Sequence, residues 1–327
     1  MRVRLLLHRF LWEESEVELL PTSPQLLRAA SFIDGRSDFS CGMPEKMKLR
    51  AFLRSEADPG PPDRMIFHSA FCGSSLLARL LDVPGASLVL REPNCLADLA
   101  NRQAAADRQG KRIEGFEEVV AATCRHLSRS WAAGEAVVVK PSNWVNNLLP
   151  ALQGPRLRPL FLTASRRRFL TAVFRGGSER LAFTARAAVH LSSADEEAAK
   201  LVAKAITADT DQLRQLARLA VATHEIQLRQ FHAAADLGHW GAAHWLDGEE
   251  LLDDTGAAVG KAATALQLAL SAEAIDINIE RWASSNAKSP ELGFSAEEEA
   301  KANAAVEARH GDCIDRALDW ASGEIGH

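Results

Sequence analysis

The sequence predicts an α/β fold: a three-layer unit with a mostly parallel central sheet of four or five strands and helical additions at the C-terminus. Three observations carry this. Short continuous apolar runs at 64–68, 86–90, 136–140 and 160–163 read as strands buried on both faces, because they do not alternate with polar residues. Helical patterns fall between them, as crossover helices separate parallel strands. From Asp195 onward apolar residues recur mostly at three- and four-residue spacing. A chain of 327 residues, 47% hydrophobic and 25% charged, can build such a core and is neither disordered nor fibrous.

Taken in order, residues 1–60 read as an irregular N-terminal lead-in. Short strands are expected at Leu5–Leu7 and Glu16–Leu20, and a helix over Gln25–Phe32 with Ser23 as N-cap and Pro24 at its first position. The breaker Asp58-Pro-Gly-Pro-Pro-Asp63 marks a boundary, and residues 61–327 form the α/β domain with its helical C-terminal part. In that domain Arg64–His68 is a strand, Ser69–Ser75 a small-residue loop and Leu76–Asp82 a helix. Ala86–Leu90 is the second strand, Phe116–Ala132 a helix and Ala136–Lys140 the third strand. Ser142 caps a short helix through Leu149, Leu160–Thr163 is the fourth strand, and Ser165 caps a helix Arg166–Phe174. Helices follow from Asp195 to about Ala235, with a break near Asp209. Ala242–Leu246 is a last strand, and Thr264–Leu270, Ile275–Ala283 and Ala296–Trp320 are C-terminal helices.

Charge and composition narrow the function. The net charge of −5 argues against a dedicated nucleic-acid binder, since phosphate contacts need a basic face. No apolar run reaches the roughly 18 residues of a membrane span, and three leucines before His8 are too few for a signal-peptide core. A cytoplasmic location without membrane attachment is therefore expected. The five cysteines, at 41, 72, 95, 124 and 313, are odd in number and form no Cys-x-x-Cys pair, so a disulfide framework or cysteine metal site is not expected. Leu228 stands where a zinc motif beginning at His224-Glu225 would need its second histidine, and no metal is expected.

The most informative stretch is His68-Ser-Ala-Phe-Cys-Gly-Ser-Ser-Leu-Leu-Ala-Arg-Leu-Leu-Asp82. A loop of small residues between strand and helix leaves N–H groups free for an anion. Gly73 lets a ligand approach the backbone, and Ser74 and Ser75 add hydroxyls. A Gly-Ser-Ser turn that simply caps a helix fits the same residues. The loop is not a nucleotide-kinase P-loop, because Ser74 follows Gly73 where that pattern needs Lys. Cys72, at the mouth of the helix, reads first as a small buried cysteine; a reactive thiol of lowered pKa is the alternative.

This loop resembles the phosphosulfate-binding loop of the P-loop sulfotransferases, roughly Pro-Lys/Arg-Ser-Gly-Thr-Thr-Leu-Leu. Cys72-Gly73-Ser74-Ser75-Leu76-Leu77 matches its Ser-Gly-Thr-Thr-Leu-Leu part. It is similar in particular to a little-characterised bacterial sulfotransferase-like group with a His-Ser-Ala-Phe-Cys-type loop. Leu90-Arg-Glu-Pro93, Lys140-Pro141, the strand-then-arginine stretch at 160–168 and Trp245-Leu-Asp-Gly-Glu-Glu-Leu-Leu252 follow in family order. The resemblance implies a P-loop-type α/β fold and 3′-phosphoadenosine-5′-phosphosulfate as donor, held by Ala70, Phe71, Cys72, Gly73, Ser74 and Ser75. Phe71 replaces the family's loop cation, and Ala164 and Ala172 stand at its Arg and Ser for the 3′-phosphate.

Other residues can fill these roles. Glu92 follows the second strand at the carboxyl edge of the sheet and is the candidate base; a solvated glutamate paired with Arg91 is the alternative. Lys140 ends an apolar strand, so it either faces the ligand crevice, stabilising the leaving oxygen, or makes a structural ion pair. Ser142 and Asn143 are further donors or a helix cap. Residues 156–180 hold seven arginines against one glutamate, and Arg166 and Arg167 with Thr171 are the candidate 3′-phosphate ligands, or else a solvated basic face. Lys288 is a further candidate from the C-terminal side.

The leading function is sulfuryl transfer to a hydroxyl or amine on a small molecule or peptide. One alternative is a non-catalytic binding or partner protein on the same fold, and another is a different nucleotide-binding transferase. The sequence also leaves room for a protein partner or a homodimer.

Overall fold

A computed structural model describes residues 3–56, 60–152, 154–238, 244–282 and 296–325. The protein is an α/β molecule built on a five-stranded, all-parallel sheet, as the apolar runs predict. Its strands are β4 (Asp63–His68), β5 (Ser87–Arg91), β6 (Ala136–Lys140), β7 (Leu157–Thr163) and β8 (Trp245–Asp247), in the order β5-β6-β4-β7-β8. Register is regular: Val89 pairs with Val138, and His68 with Leu162.

Alternate strand residues face opposite layers. Met65, Phe67, Leu88, Leu90, Val137, Val139 and Phe161 bury into one core with α4 (Asn94–Asp107) and α5 (Phe116–Leu127). Ile66, Val89, Val138, Leu160 and Leu162 bury into the other, against α3 (Ser74–Leu80), α11 (Thr255–Ala265) and α12 (Ala272–Trp282). A strand buried on both faces has no polar alternation to show, which is why the runs read as continuous. Two smaller cores join α6 (Arg166–Arg175), α7 (Gly177–Leu191), α8 (Glu196–Thr207), α9 (Gln212–Gly238) and α13 (Ala296–Ile325).

The N-terminal segment is not an irregular lead-in. β1 (Arg4–Leu11), β2 (Glu16–Thr22) and β3 (Glu45–Lys48) form an antiparallel sheet in that order, with α1 (Pro24–Ala29) and α2 (Leu49–Ser55) beside it. Leu6, Leu7, Phe10, Val17 and Leu19 enter the same core as Phe67 and Val139. The strands expected at Leu5–Leu7 and Glu16–Leu20 lie within β1 and β2, and a register irregularity between Leu7 and Arg9 breaks the alternation that would have shown the full length of β1. The expected boundary at 58–63 falls partly on residues 57–59, outside those described.

Caps were legible: the hydroxyls of Ser23, Ser142 and Ser165 accept from the N–H groups of Leu26, Trp144 and Arg168. Ser142 heads a 3₁₀ turn, Asn143–Leu148. The helix expected at Phe116–Ala132 ends at Leu127, and the one expected at Thr264–Leu270 is α11, nine residues earlier at its start. Gly256 and Gly260 weaken the pattern of α11, while Asp254 caps it by accepting from Ala257 N at 3.0 Å. α4, α7 and α10 (Gly248–Asp253) were not anticipated. Of the expected strand 242–246, residues 242 and 243 lie outside those described. No helix among the described residues is long and apolar enough to cross a membrane.

Candidate functional site

The carboxyl ends of β4, β5 and β6 open into a cleft of about 550 Å³, the place where open parallel sheets hold ligands. The loop after β4 forms one wall. Its backbone is left-handed at Ala70 (φ +66°), Phe71 (+52°) and Gly73 (+87°), and across the cleft Glu92 is left-handed too (+56°). Three of the five described non-glycine residues with positive φ therefore line this cleft. Such backbone costs on the order of 1–3 kcal/mol per residue and persists only where neighbours impose it.

Those neighbours are identifiable. Ala70 N donates to His68 Nδ1 at 3.1 Å, which leaves His68 Nε2 to donate to Pro141 O at 3.1 Å. Asn146 Nδ2 donates to His68 O at 3.2 Å, and Gln227 Nε2 donates to Ser69 O at 3.1 Å. The Gln227 carbonyl in turn accepts from Asn143 and Asn146. All of these side chains are buried, so the loop hangs on a polar scaffold shared by the 3₁₀ turn and α9. Asn143 lines the cleft while one of its two amide N–H groups is spent on Gln227. From the opposite side α10 closes in: a Cβ on Gly248 would stand 2.5 Å from Cys72 O.

Ser74 and Ser75 line the cleft, and among the described residues neither hydroxyl has a hydrogen-bond partner. Cys72 does not face it. The thiol is fully buried and points to Leu162 O at 3.5 Å. Burial pushes its pKa up, against the pull of the Lys140 charge, so Cys72 is the small buried cysteine of the sequence reading and not a low-pKa thiol at the helix mouth.

Glu92 and Lys140 are brought together. The Lys140 ammonium, 2% exposed, donates to Glu92 Oε1 at 2.6 Å, and Glu92 N donates to Lys140 O at 2.7 Å. Arg36 donates to Glu92 Oε2 at 3.0 Å and to Asp34 Oδ2 at 2.6 Å, and its guanidinium lies 4.2 Å over the Phe32 ring. Glu92 is thus paired with Lys140 and Arg36, not with Arg91. Arg91 is buried and donates to Asp82 and to the carbonyls of Leu27, Arg28 and Ala30, and Ile33 N donates back to Arg91 O. Burial holds its pKa down at about 10. Arg91 thereby fastens the segment carrying Phe32, Asp34 and Arg36 over the cleft. No local pattern in residues 1–60 pointed to these three.

The arginine run behaves differently from expectation. Arg166 forms a two-pronged pair with Glu225 at 2.5 and 3.1 Å. Arg167 pairs with Glu307 at 2.8 Å and with Asp315, and Thr171 donates to Glu307 at 2.6 Å. None of the three lines the cleft. Burial alone would raise the Glu225 pKa, but hydrogen bonds from His224 and Arg166 pull it down to about 2. Of the arginines in the basic stretch 156–180, the one that lines the cleft is Arg180 of α7, 4.9 Å over the ring of Phe71. Trp144 and Phe183 complete an aromatic side, with His190 stacked behind Trp144 at 4.0 Å. Lys288 lies outside the described residues.

The fold and cleft define a parallel α/β protein with a cleft at the carboxyl edge of its sheet, lined by a buried ion pair. Comparison with protein-family models and with curated proteins gives no match for this chain.

Proposed function

We propose that the protein transfers a sulfuryl group from 3′-phosphoadenosine-5′-phosphosulfate to a hydroxyl or amine of a small molecule or peptide. The observation that carries this reading is the buried Lys140–Glu92 pair in the cleft that the loop's Ser74 and Ser75 also line. A carboxylate to take a proton, a cation beside it and two free hydroxyls are the groups such a transfer uses. The acceptor oxygen or nitrogen forms a bond to sulfur while the bond from sulfur to the bridging oxygen breaks. That electron pair leaves on the phosphate of adenosine 3′,5′-bisphosphate, and the acceptor's proton passes to Glu92. Glu92 Oε2 is freed when Arg36, whose side chain is 60% exposed, withdraws. Lys140 and the serine hydroxyls counter the charge on the departing phosphate.

A second reading has its own support. Arg166, Arg167 and Thr171 are committed to Glu225, Glu307 and Asp315, and Ala164 and Ala172 offer no side-chain donor. A non-catalytic protein that keeps the fold without a 3′-phosphate site would look like this. Thermal melting separates the two. Millimolar adenosine 3′,5′-bisphosphate raises the melting temperature if the donor reading holds, and ATP with magnesium raises it less. No shift with the bisphosphate rules out sulfuryl transfer and leaves the binding-protein reading.

A further inference from the structure

We infer that Arg180 is the anion receptor of the cleft: the residue that grips the sulfate–phosphate group of the ligand from above the loop. The inference rests on the proposed reading of the cleft as a phosphosulfate site and adds the cation that the loop itself lacks.

Arg180 differs from Arg166, Arg167 and Arg175 in having no ion-paired carboxylate among the described residues, and it lines the cleft where they do not. Arg166, Arg167 and Arg175 are each neutralised, by Glu225, by Glu307 and Asp315, and by Glu299. Among the described residues no carboxylate lies within ion-pair distance of Arg180, and the one hydrogen bond it donates is from Nη1 to Ala172 O at 2.7 Å. A guanidinium carries five N–H donors, so most of the fork is uncommitted. Burial, and then the neighbouring Arg175 charge, lower its pKa against the pull of Glu299.

The surroundings aim it. Phe71 supplies a ring under the guanidinium, and that ring is braced by Phe169 at 5.7 Å between centroids. A guanidinium over an aromatic ring keeps N–H donors for other partners, and two of them can take two oxygens of a tetrahedral anion. Its side chain reaches this place by lying across Gly176, where a Cβ would meet Arg180 Cδ at 1.9 Å. A side chain at position 176 would therefore push Arg180 off its course.

Titration of the full chain with adenosine 3′,5′-bisphosphate tests the assignment, with inorganic pyrophosphate as a second probe. The wild type binds the bisphosphate, and Arg180→Met weakens it about tenfold or more. Arg180→Lys restores part of that loss, because a point charge replaces a fork. Gly176→Ala keeps the charge and displaces the side chain, so it also weakens binding, and it decides the matter if Arg180→Met does not fold. Gly176 sits at φ −84° and ψ 1°, which alanine adopts. Wild-type affinity in Arg180→Met, or in Gly176→Ala where the former does not fold, overturns the assignment and leaves the sulfuryl-transfer reading intact. Binding of pyrophosphate but not of the bisphosphate, lost in Arg180→Met, upholds Arg180 and removes that reading. Binding of neither probe by the wild type overturns both.

Discussion

Removing either half of the Lys140–Glu92 pair should destabilise the protein, and unequally. The ammonium is 2% exposed and, among the described residues, Glu92 is its one carboxylate partner; Glu92 is 15% exposed and keeps Arg36 on its second oxygen. Losing one partner of a buried pair costs about 3–5 kcal/mol, because the survivor is left charged and dry. Lys140→Met leaves Glu92 with Arg36 and an edge on water, so it falls near the lower end, about 3 kcal/mol. Glu92→Gln strands the buried ammonium beside a neutral amide, so it falls near the upper end, about 5 kcal/mol. The double variant removes both charges and should cost well under the sum of the two. Urea unfolding at constant m-value reads all four proteins. A Lys140→Met loss larger than that of Glu92→Gln, or strict additivity, would refute the assignment of which charge depends on which.

Further expectations follow from the same geometry. Burial lowers the His190 pKa to about 4, against an ordinary 6.5. The unfolded chain therefore takes up that proton first as pH falls, and stability is full above about 6.5 and drains towards pH 4, by at most about 1.4 kcal/mol per pH unit; His190→Gln flattens this slope in urea unfolding followed against pH. Gly248→Ala drives a Cβ to 2.5 Å from Cys72 O, so overpacking should cost about 1–3 kcal/mol in the same unfolding assay, while an alanine in place of Gly260, where a Cβ meets nothing within 4 Å, should cost none of it. Arg167→Ala, a change outside the cleft, should leave affinity for adenosine 3′,5′-bisphosphate at the wild-type value by calorimetric titration.

What could be read in advance was local. The Val137–Val139 run and the serine caps depend on residues within a few positions of one another, and they appear in the structure where they were expected. The partners of Arg166 and Arg167 lie 59, 140 and 148 positions along the chain, so a run of arginines could not reveal that its charge was already answered. Arg180 was one of seven arginines in a basic stretch, and nothing local to it told of the Phe71 ring it covers. The N-terminal contribution was hidden for a similar reason: Arg91 binds the carbonyls at 27, 28 and 30 across more than 60 residues. Glu92 and Lys140 were singled out because each ends a strand at the edge where parallel sheets hold ligands, and topology rather than periodicity brings them together.

The strain at the cleft and the scaffold beneath it make one further prediction. Ala70 and Phe71 hold left-handed backbone that alanine and phenylalanine avoid when free. Asn146 helps to impose it by donating to both His68 O and Gln227 Oε1, yet its own Oδ1 is buried with no partner among the described residues. An orphaned buried acceptor costs about 1–3 kcal/mol, and each hydrogen bond contributes about 0.5–1.5 kcal/mol. Asn146→Leu, close in volume, removes two bonds and the orphan together, so global stability should change by less than about 1 kcal/mol. The loop should nonetheless loosen, since one of its anchors is gone. Amide exchange at Ala70, whose N–H rests on His68 Nδ1, should quicken while exchange in β6 stays as it was. A large loss of global stability would show that Asn146 serves the core. Unchanged exchange at Ala70 would show that Gln227 and His68 hold the loop without it, and that the polar scaffold is a packing feature and not a support for the strained cleft wall.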